Sequence, residues 1–386
     1  MIFFLGKITY HYVKSRSEKL YIVPLSHSCA LFEILGIPQV TTFHEQVLCV
    51  NFRVNTYSPT MLGLPEDRKW LFAAPMAGYT DTVYRRYARK FGADIVFTEM
   101  ISADGMVYSY KRSLRYLVFH ESERPIGAQL FGSKPEIIAK ASIMVAELGF
   151  DLIDINMGCP VRKVIRKGAG AALLTTPQLA SEIVEAAMGA KLPVSVKMRI
   201  GFEHPDIDGT IRLLESFKRL GVVFVTIHPR TALQGFSGSA DWNALLKIAK
   251  KVDIPIVGNG DIFSVDDLRA RLADEIRGVA IARGAIANFQ LFSQLRDYLE
   301  GREPESASLA ERIETFINFI HDEVALRGER QGLAFLRKFF IHLVRGIPSA
   351  RRLRAKLVTE TKLEEVIEIL RKIAENAKIN AQYFVD

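Results

Sequence analysis

Between Leu71 and Gly284 the chain alternates two kinds of segment. Short apolar runs recur eight times: "LFAAP" from Leu71, "ADIVFTE" from Ala93, "PIGAQLF" from Pro125, "DLIDINM" from Asp151, "PVSVKMR" from Pro193, "VVFVTIH" from Val222, "IPIVGNG" from Ile254 and "IRGVAIARG" from Ile276. Between most of them lie longer stretches with apolar residues at helical spacing, such as "KPEIIAKASIMVAELG" and "DGTIRLLESFKRLG". Runs that are almost uniformly apolar suit parallel strands buried on both faces. Eight strand–helix units in succession predict an α/β fold, a (β/α)8 TIM barrel. A doubly wound open sheet would carry a glycine-rich dinucleotide fingerprint after its first strand. "LFAAPMAGYTD" has none.

Barrel enzymes keep their chemistry at the C-terminal ends of the strands. In order, the predicted ends read Pro75-Met76-Ala77-Gly78, Thr98-Glu99-Met100, Gln129, Asn156-Met157-Gly158-Cys159-Pro160, Lys197-Met198-Arg199, His228-Pro229-Arg230-Thr231, Asn259-Gly260-Asp261 and Arg283-Gly284. A single glycine there is usually a turn, and a single histidine more often satisfies a core hydrogen bond than binds a ligand. Eight polar or glycine-containing ends on one rim are hard to explain by packing. The last two, in "GNGDI" and "ARGAI", suggest a phosphate cradle, with Arg283 supplying charge. Lys197 falls on the adjoining wall, where a lysine would stabilise negative charge on a reduced flavin. The structural alternative makes Lys197 and Arg230 parts of a barrel-mouth ion pair.

The net charge of +8 has an address. Arg327 to Lys356, "RGERQGLAFLRKFFIHLVRGIPSARRLRAK", holds nine Lys/Arg against one acid, Glu329, so the rest of the chain is neutral. Basic residues interleaved with aromatics over two predicted helices favour a polyanion partner over a merely solvated face. "REPESAS", Arg302 to Ser308, reads as a polar linker, and a helical pattern follows from Leu309. The predicted plan is an N-terminal segment over residues 1–60, a barrel over 61–304 and a small all-α helical bundle over 305–386. Three cysteines make no disulfide framework, which suits the cytoplasm. No apolar run approaches the ~20 residues that span a membrane, and "MIFFLGKITY" lacks the basic start of a signal peptide.

"APMAGYTD", "AQLFGS", "DINMGCPVRKV…GAGAALL", "VKMR", "IHPRT" and "NGDI" occur in this order between Leu71 and Arg302. Together they resemble the bacterial type of the FMN-dependent tRNA-dihydrouridine synthase family, and "RKFFIHLVRGIPSARRLR" resembles that family's helical domain. The resemblance implies FMN, NADPH or NADH as electron donor, and reduction of particular uridines in tRNA; a monomer without a metal is expected. Pro75, Met76 and Ala77 would line the flavin, and Gln129 and Lys197 would contact its pyrimidine-like ring. His228, Asn259, Gly260, Asp261, Ala282 and Arg283 would surround its phosphate end. Position 282 is alanine where relatives often have glycine. Asn156 would hold the target uracil. Arg199 and Arg230 on the rim, with Arg351, Arg352 and Arg354 in the tail, are candidate tRNA contacts.

Reducing the 5,6 double bond of uracil takes a hydride at carbon 6 and a proton at carbon 5. A thiol with an ordinary pKa near ~8.5 stays mostly protonated at neutral pH and can donate that proton. Cys159 fits, and the resemblance assigns it this role. A buried structural cysteine is the competing reading; a metal site is poor without a CxxC or histidine pair. Arg162, Lys163, Arg166 and Lys167 would lower the thiol pKa if they pointed inward, but are expected on the tRNA backbone. Residues 1–60 fit none of this, and "SHSCALFEILGIPQVTTFHEQVLCVNFRVNTYSP" shows no clear period. The expectation is that the protein proper starts at Met61; an added segment of unknown role is the alternative. Two other functions stay open, a flavin-dependent reductase of a free pyrimidine and a non-catalytic RNA-binding protein.

Overall fold

The computed structural model describes residues 2–5, 8–14, 20–24 and 57–382, with side chains from 57 to 377. Strands β1 (Ile2–Leu5), β2 (Ile8–Lys14) and β3 (Leu20–Pro24) form an antiparallel sheet in that order. It belongs to a unit, Met1–Phe52, that is distinct from Arg53–Asp386. The sequence pattern had assigned no element there. Most of the aperiodic stretch after it, with Cys29 and Cys49, lies outside the described residues.

The second unit begins with β4 (Trp70–Ala73), α1 (Thr82–Lys90), β5 (Ile95–Phe97), the two-residue β6 (Ile101–Ser102), α2 (Ala103–Tyr108) and α3 (Tyr110–Leu117). Then come β7 (Ile126–Phe131), α4 (Pro135–Glu147), β8 (Leu152–Met157), α5 (Arg162–Ile165) and α6 (Pro177–Met188). The barrel is completed by β9 (Val194–Arg199), α7 (Ile207–Leu220), β10 (Val225–His228), α8 (Trp242–Ala249), β11 (Ile256–Asn259), α9 (Val265–Arg269), β12 (Gly278–Ile281) and α10 (Gln290–Leu299). All the pairings are parallel. The β12–β4 and β5–β7 pairs close the eight strands into a TIM barrel. Each strand expected from the apolar runs is present.

Alternation along the strands separates two cores. Trp70 and Phe72 join Phe97, Leu152 and Phe224 in an interior cluster, while Leu71 and Ala73 pack with residues of the surrounding helices. Phe72 and Phe224 meet with ring centroids 5.1 Å apart. The runs prove less uniform than expected. Val194, Val196 and Met198 of β9 join the outer core, whereas Ser195, Lys197 and Arg199 make polar contacts on the barrel side. The closed barrel can tolerate polar residues at those positions because its upper part opens into a cavity. Side-chain caps help start the helices: Asp81, Asp206, Asp241 and Ser264 accept backbone N–H bonds at 3.1, 2.8, 2.9 and 3.1 Å.

Four further helices follow the linker: α11 (Leu309–Arg327), α12 (Glu329–Leu343), α13 (Ala350–Thr359) and α14 (Leu363–Gln382). Ser308 and Glu311 form a capping box at the start of α11. These helices pack against the barrel, with Phe319 against Tyr87 and Phe289, and Phe339 against Tyr79. Arg327 donates to the buried Glu323 at 2.9 Å and also to Asp81, the N-cap of α1. Among the described residues, no helix is long and apolar enough to cross a membrane.

Candidate active site

A cavity of about 430 Å³ opens at the C-terminal ends of the strands, within the range of small-molecule sites. Register places its polar wall. Asp154 lies opposite Gln129 and Ser195, and Asn156 opposite Lys197. Asn156 Nδ2 donates to Gln129 Oε1 at 2.9 Å, and Gln129 Nε2 donates to Asp154 Oδ2 at 2.6 Å. Ser195 donates to the other oxygen of Asp154 at 2.7 Å. Burial pushes the Asp154 carboxyl up to about 6 in spite of these donors and Lys197. This hydrogen-bonded column fixes which face Gln129 and Asn156 present to the cavity.

Asn156 Oδ1 accepts the backbone N–H groups of Gly158 and Cys159 at 3.2 and 3.0 Å, folding the turn that carries the thiol. Cys159 is half-buried and lines the cavity. Burial raises its pKa; a backbone contact from Val161 and the charge of Arg199 oppose the shift. Arg162, Lys163, Arg166 and Lys167 are exposed and do not depress it. Arg199 donates to Gly158 O at 2.9 Å, Thr231 O at 2.7 Å and Gly235 O at 2.8 Å. Burial lowers its pKa to about 10, so it remains a cation at neutral pH.

Lys197 donates to Asn259 Oδ1 at 2.8 Å, and Asn259 donates to Ala280 O at 2.7 Å. Burial lowers the lysine to about 8, with Asp154 opposing. An ammonium so placed has spare donors facing the cavity and gains from an anionic or electron-rich ligand. His228 is held neutral, its pKa lowered to about 2 by burial and by the surrounding Lys197, Arg199, Arg230 and Arg283. Asp261 accepts two bonds from Arg230, at 3.0 and 2.6 Å, and one from Arg283 at 3.1 Å.

The backbone at this end has room only for glycine. A Cβ on Gly284 would stand 2.2 Å from Ile262 O, and one on Gly260, whose φ is +134°, would stand 2.9 Å from the His228 ring. The two glycines therefore let the loops after β11 and β12 pack tightly against Ile262 and His228, at the rim where Arg283 and the neutral imidazole line the cavity. That donor set suits a phosphate, while Lys197 and Gln129 suit an electron-rich ring deeper in the wall.

A family model described as "Dihydrouridine synthase (Dus)" matches residues 72–379. The chain belongs to the dihydrouridine synthase family. A "Probable tRNA-dihydrouridine synthase" of Aquifex aeolicus is 36% identical over 80% of this chain and 97% of its own. The "tRNA-dihydrouridine synthase B" of Pseudomonas aeruginosa is 32% identical over 74% and 87%. Among solved structures, the old yellow enzyme homologue of Zymomonas mobilis matches 63% of this chain and 92% of its own at 13% identity, with a TM-score of 0.43.

In this dihydrouridine synthase the cavity gathers most of the residues singled out in the sequence. Pro75, Met76 and Ala77, Gln129, Asn156, Cys159, Lys197, Arg199, His228, Asn259, Gly260, Asp261, Ala282 and Arg283 all line it. Arg230 does not; it is buried behind the wall in its pair with Asp261. Arg351, Arg352 and Arg354 lie on α13, the first two exposed and the third half-buried. Other side chains of the site escaped sequence reasoning. Asp154 was legible as a charge inside an apolar run, two residues before Asn156. Asp154 lies behind the wall, whereas Phe236, Phe263 and His342 line the cavity, from the loops after β10 and β11 and from α12, and nothing local in the chain announces them.

Proposed function

We propose that the protein reduces specific uridines in tRNA to 5,6-dihydrouridine, with FMN as bound cofactor and NADPH or NADH as electron donor. The cavity's donor set supports this reading. Gly260, Gly284, Arg283 and His228 would hold the FMN phosphate, Lys197 and Gln129 its ring, and Pro75, Met76 and Ala77 its apolar edge. Held there by these residues, FMN would supply the hydride chemistry, with the nicotinamide as its source of electrons and carbon 6 of the uracil as the acceptor.

Asn156 holds the uracil edge, oriented by its bond to Gln129. Cys159 gives its proton to carbon 5 as the 5,6 double bond is lost, and the thiolate is reprotonated from solvent. The raised pKa of Cys159 keeps the proton available at neutral pH. The target base must leave its stack to enter the cavity. The exposed arginines of α13 would hold the tRNA backbone, so we assign residues 305–386 to tRNA binding and the barrel to chemistry.

One observation carries this reading: Cys159, Asn156 and Lys197 share one cavity in a dihydrouridine synthase fold. The test is to purify the protein, measure its flavin, and follow dihydrouridine formation in unmodified tRNA with NADPH. A flavin-loaded protein that turns over tRNA is the expected result. A protein that cannot be reconstituted with FMN defeats the reading.

A further inference from the structure

The loop between β10 and α8 holds an aromatic ring out in solvent. Phe236 is 60% exposed and Phe263, following β11, is 43% exposed, yet both line the cavity. Exposed rings clustered at a site mouth point to a ligand that covers them. The backbone beneath Phe236 is fixed. Arg199 donates to Gly235 O at 2.8 Å, and Arg230 donates to Ser237 O at 3.2 Å and Gly238 O at 2.6 Å. Two buried arginines thus brace a loop whose aromatic side chain stays solvent-exposed. The guanidinium of Arg283 lies 4.8 Å from the Phe236 centroid and 5.8 Å from that of Phe263.

Cations extend outward from this point. His342 lines the mouth from α12, and Arg345 and Arg354 stand close enough to act on its charge. Among the described residues, Arg345, Arg351, Arg352, Arg354 and Lys356 take part in no ion pair. The guanidinium Nε of Arg354 is buried without a partner.

We propose that Phe236, with Arg283 and Phe263 beside it, is a stacking platform for an RNA base neighbouring the one inserted in the cavity. Arg345 and Arg354 would hold the phosphates between those bases. A pre-set aromatic surface flanked by unpaired cations is how proteins receive unstacked nucleotides. The cations continue along α13 beyond the mouth, which favours a polymeric polyanion over a single dinucleotide. The inference rests on the reading that a tRNA uridine enters the cavity.

The test compares Phe236→Ala, Phe236→Leu and Phe236→Trp in the full chain. Measured for each are the KM for tRNA, the KM for NADPH without tRNA, the FMN content and the melting temperature. Loss of a base–aromatic stack should raise the KM for tRNA by about 5- to 150-fold in the Ala and Leu variants. Trp should restore it, and the melting temperature should stay put because the ring is exposed. An unchanged KM for tRNA in the Ala variant overturns the proposal. So does Leu performing as well as Trp, which would mean plain apolar cover. A shift confined to NADPH or FMN would make Phe236 a cofactor contact and overturn it too. If wild type makes no dihydrouridine, the functional reading has failed instead, and direct tRNA binding by the same variants still tests the platform.

Discussion

Cys159 takes its character from its surroundings. Its amide is tied to Asn156, and burial moves its thiol above the ordinary value. Free thiols titrate near ~8.5, so this one should be alkylated by iodoacetamide with a midpoint at higher pH, read on the Cys159 peptide by mass spectrometry. A midpoint below the ordinary value would mean a standing thiolate and an unsuitable acid. Cys159→Ala should leave FMN binding and its reduction by NADPH in place while slowing uridine reduction ~10²–10⁴-fold. Lys197 makes a second residue-scale prediction. Its folded-state pKa is lowered to about 8, so its charge costs stability below that pH; the cost fades as pH rises toward the ordinary lysine value of about 10.4. Lys197→Met should therefore raise the melting temperature of the flavin-free protein at pH 7, with the gain shrinking by pH 10, and should weaken FMN binding. A variant that melts lower at pH 7 would show that Lys197 is a structural cation.

Whole elements were legible where their signal is local. Eight apolar runs became eight strands, and Gly221 ends α7 in the left-handed conformation its position requires. The polar column of β8 and β9 was only partly legible, because Ser195 and Asp154 satisfy each other across strands and look like interruptions in sequence. His342 and Phe236 were not legible, since their places depend on helix docking and on arginines that brace a loop from elsewhere. Docking also involves Arg327, which pairs with Asp81 and donates to Glu323. Glu323 is fully buried, and burial with Asp81 nearby pushes its carboxyl up to about 8. Removing the cation from such a site costs about 3 kcal/mol, the lower end for buried pairs because Arg327 is partly exposed. Arg327→Met should show that loss in urea unfolding, so Arg327 belongs to the fold although it opens the basic stretch. A loss under about 0.5 kcal/mol would mean that the helices dock by apolar packing alone.

For the whole molecule, the charge excess divides into cations that hold the fold and cations that face solvent. Arg351 and Arg352 are exposed and unpaired among the described residues, whereas Arg354 is half-buried. Arg351→Glu with Arg352→Glu should raise the KM for tRNA and flatten its log–log salt slope by ~0.7–0.9 per lost contact, without lowering the melting temperature. A salt titration that matches wild type would reduce the tail to a solvated face. The central claim joins this surface to the cavity: a uridine presented by the tail is reduced with a proton from Cys159. It is tested most directly by mass spectrometry of nucleosides from unmodified tRNA after reaction with NADPH, comparing wild type with the flavin-loaded Cys159→Ala variant. The account predicts a uridine gaining two hydrogens with wild type, and the same product formed at least about a hundredfold more slowly by the variant. Equal rates of dihydrouridine formation by the two proteins would contradict it.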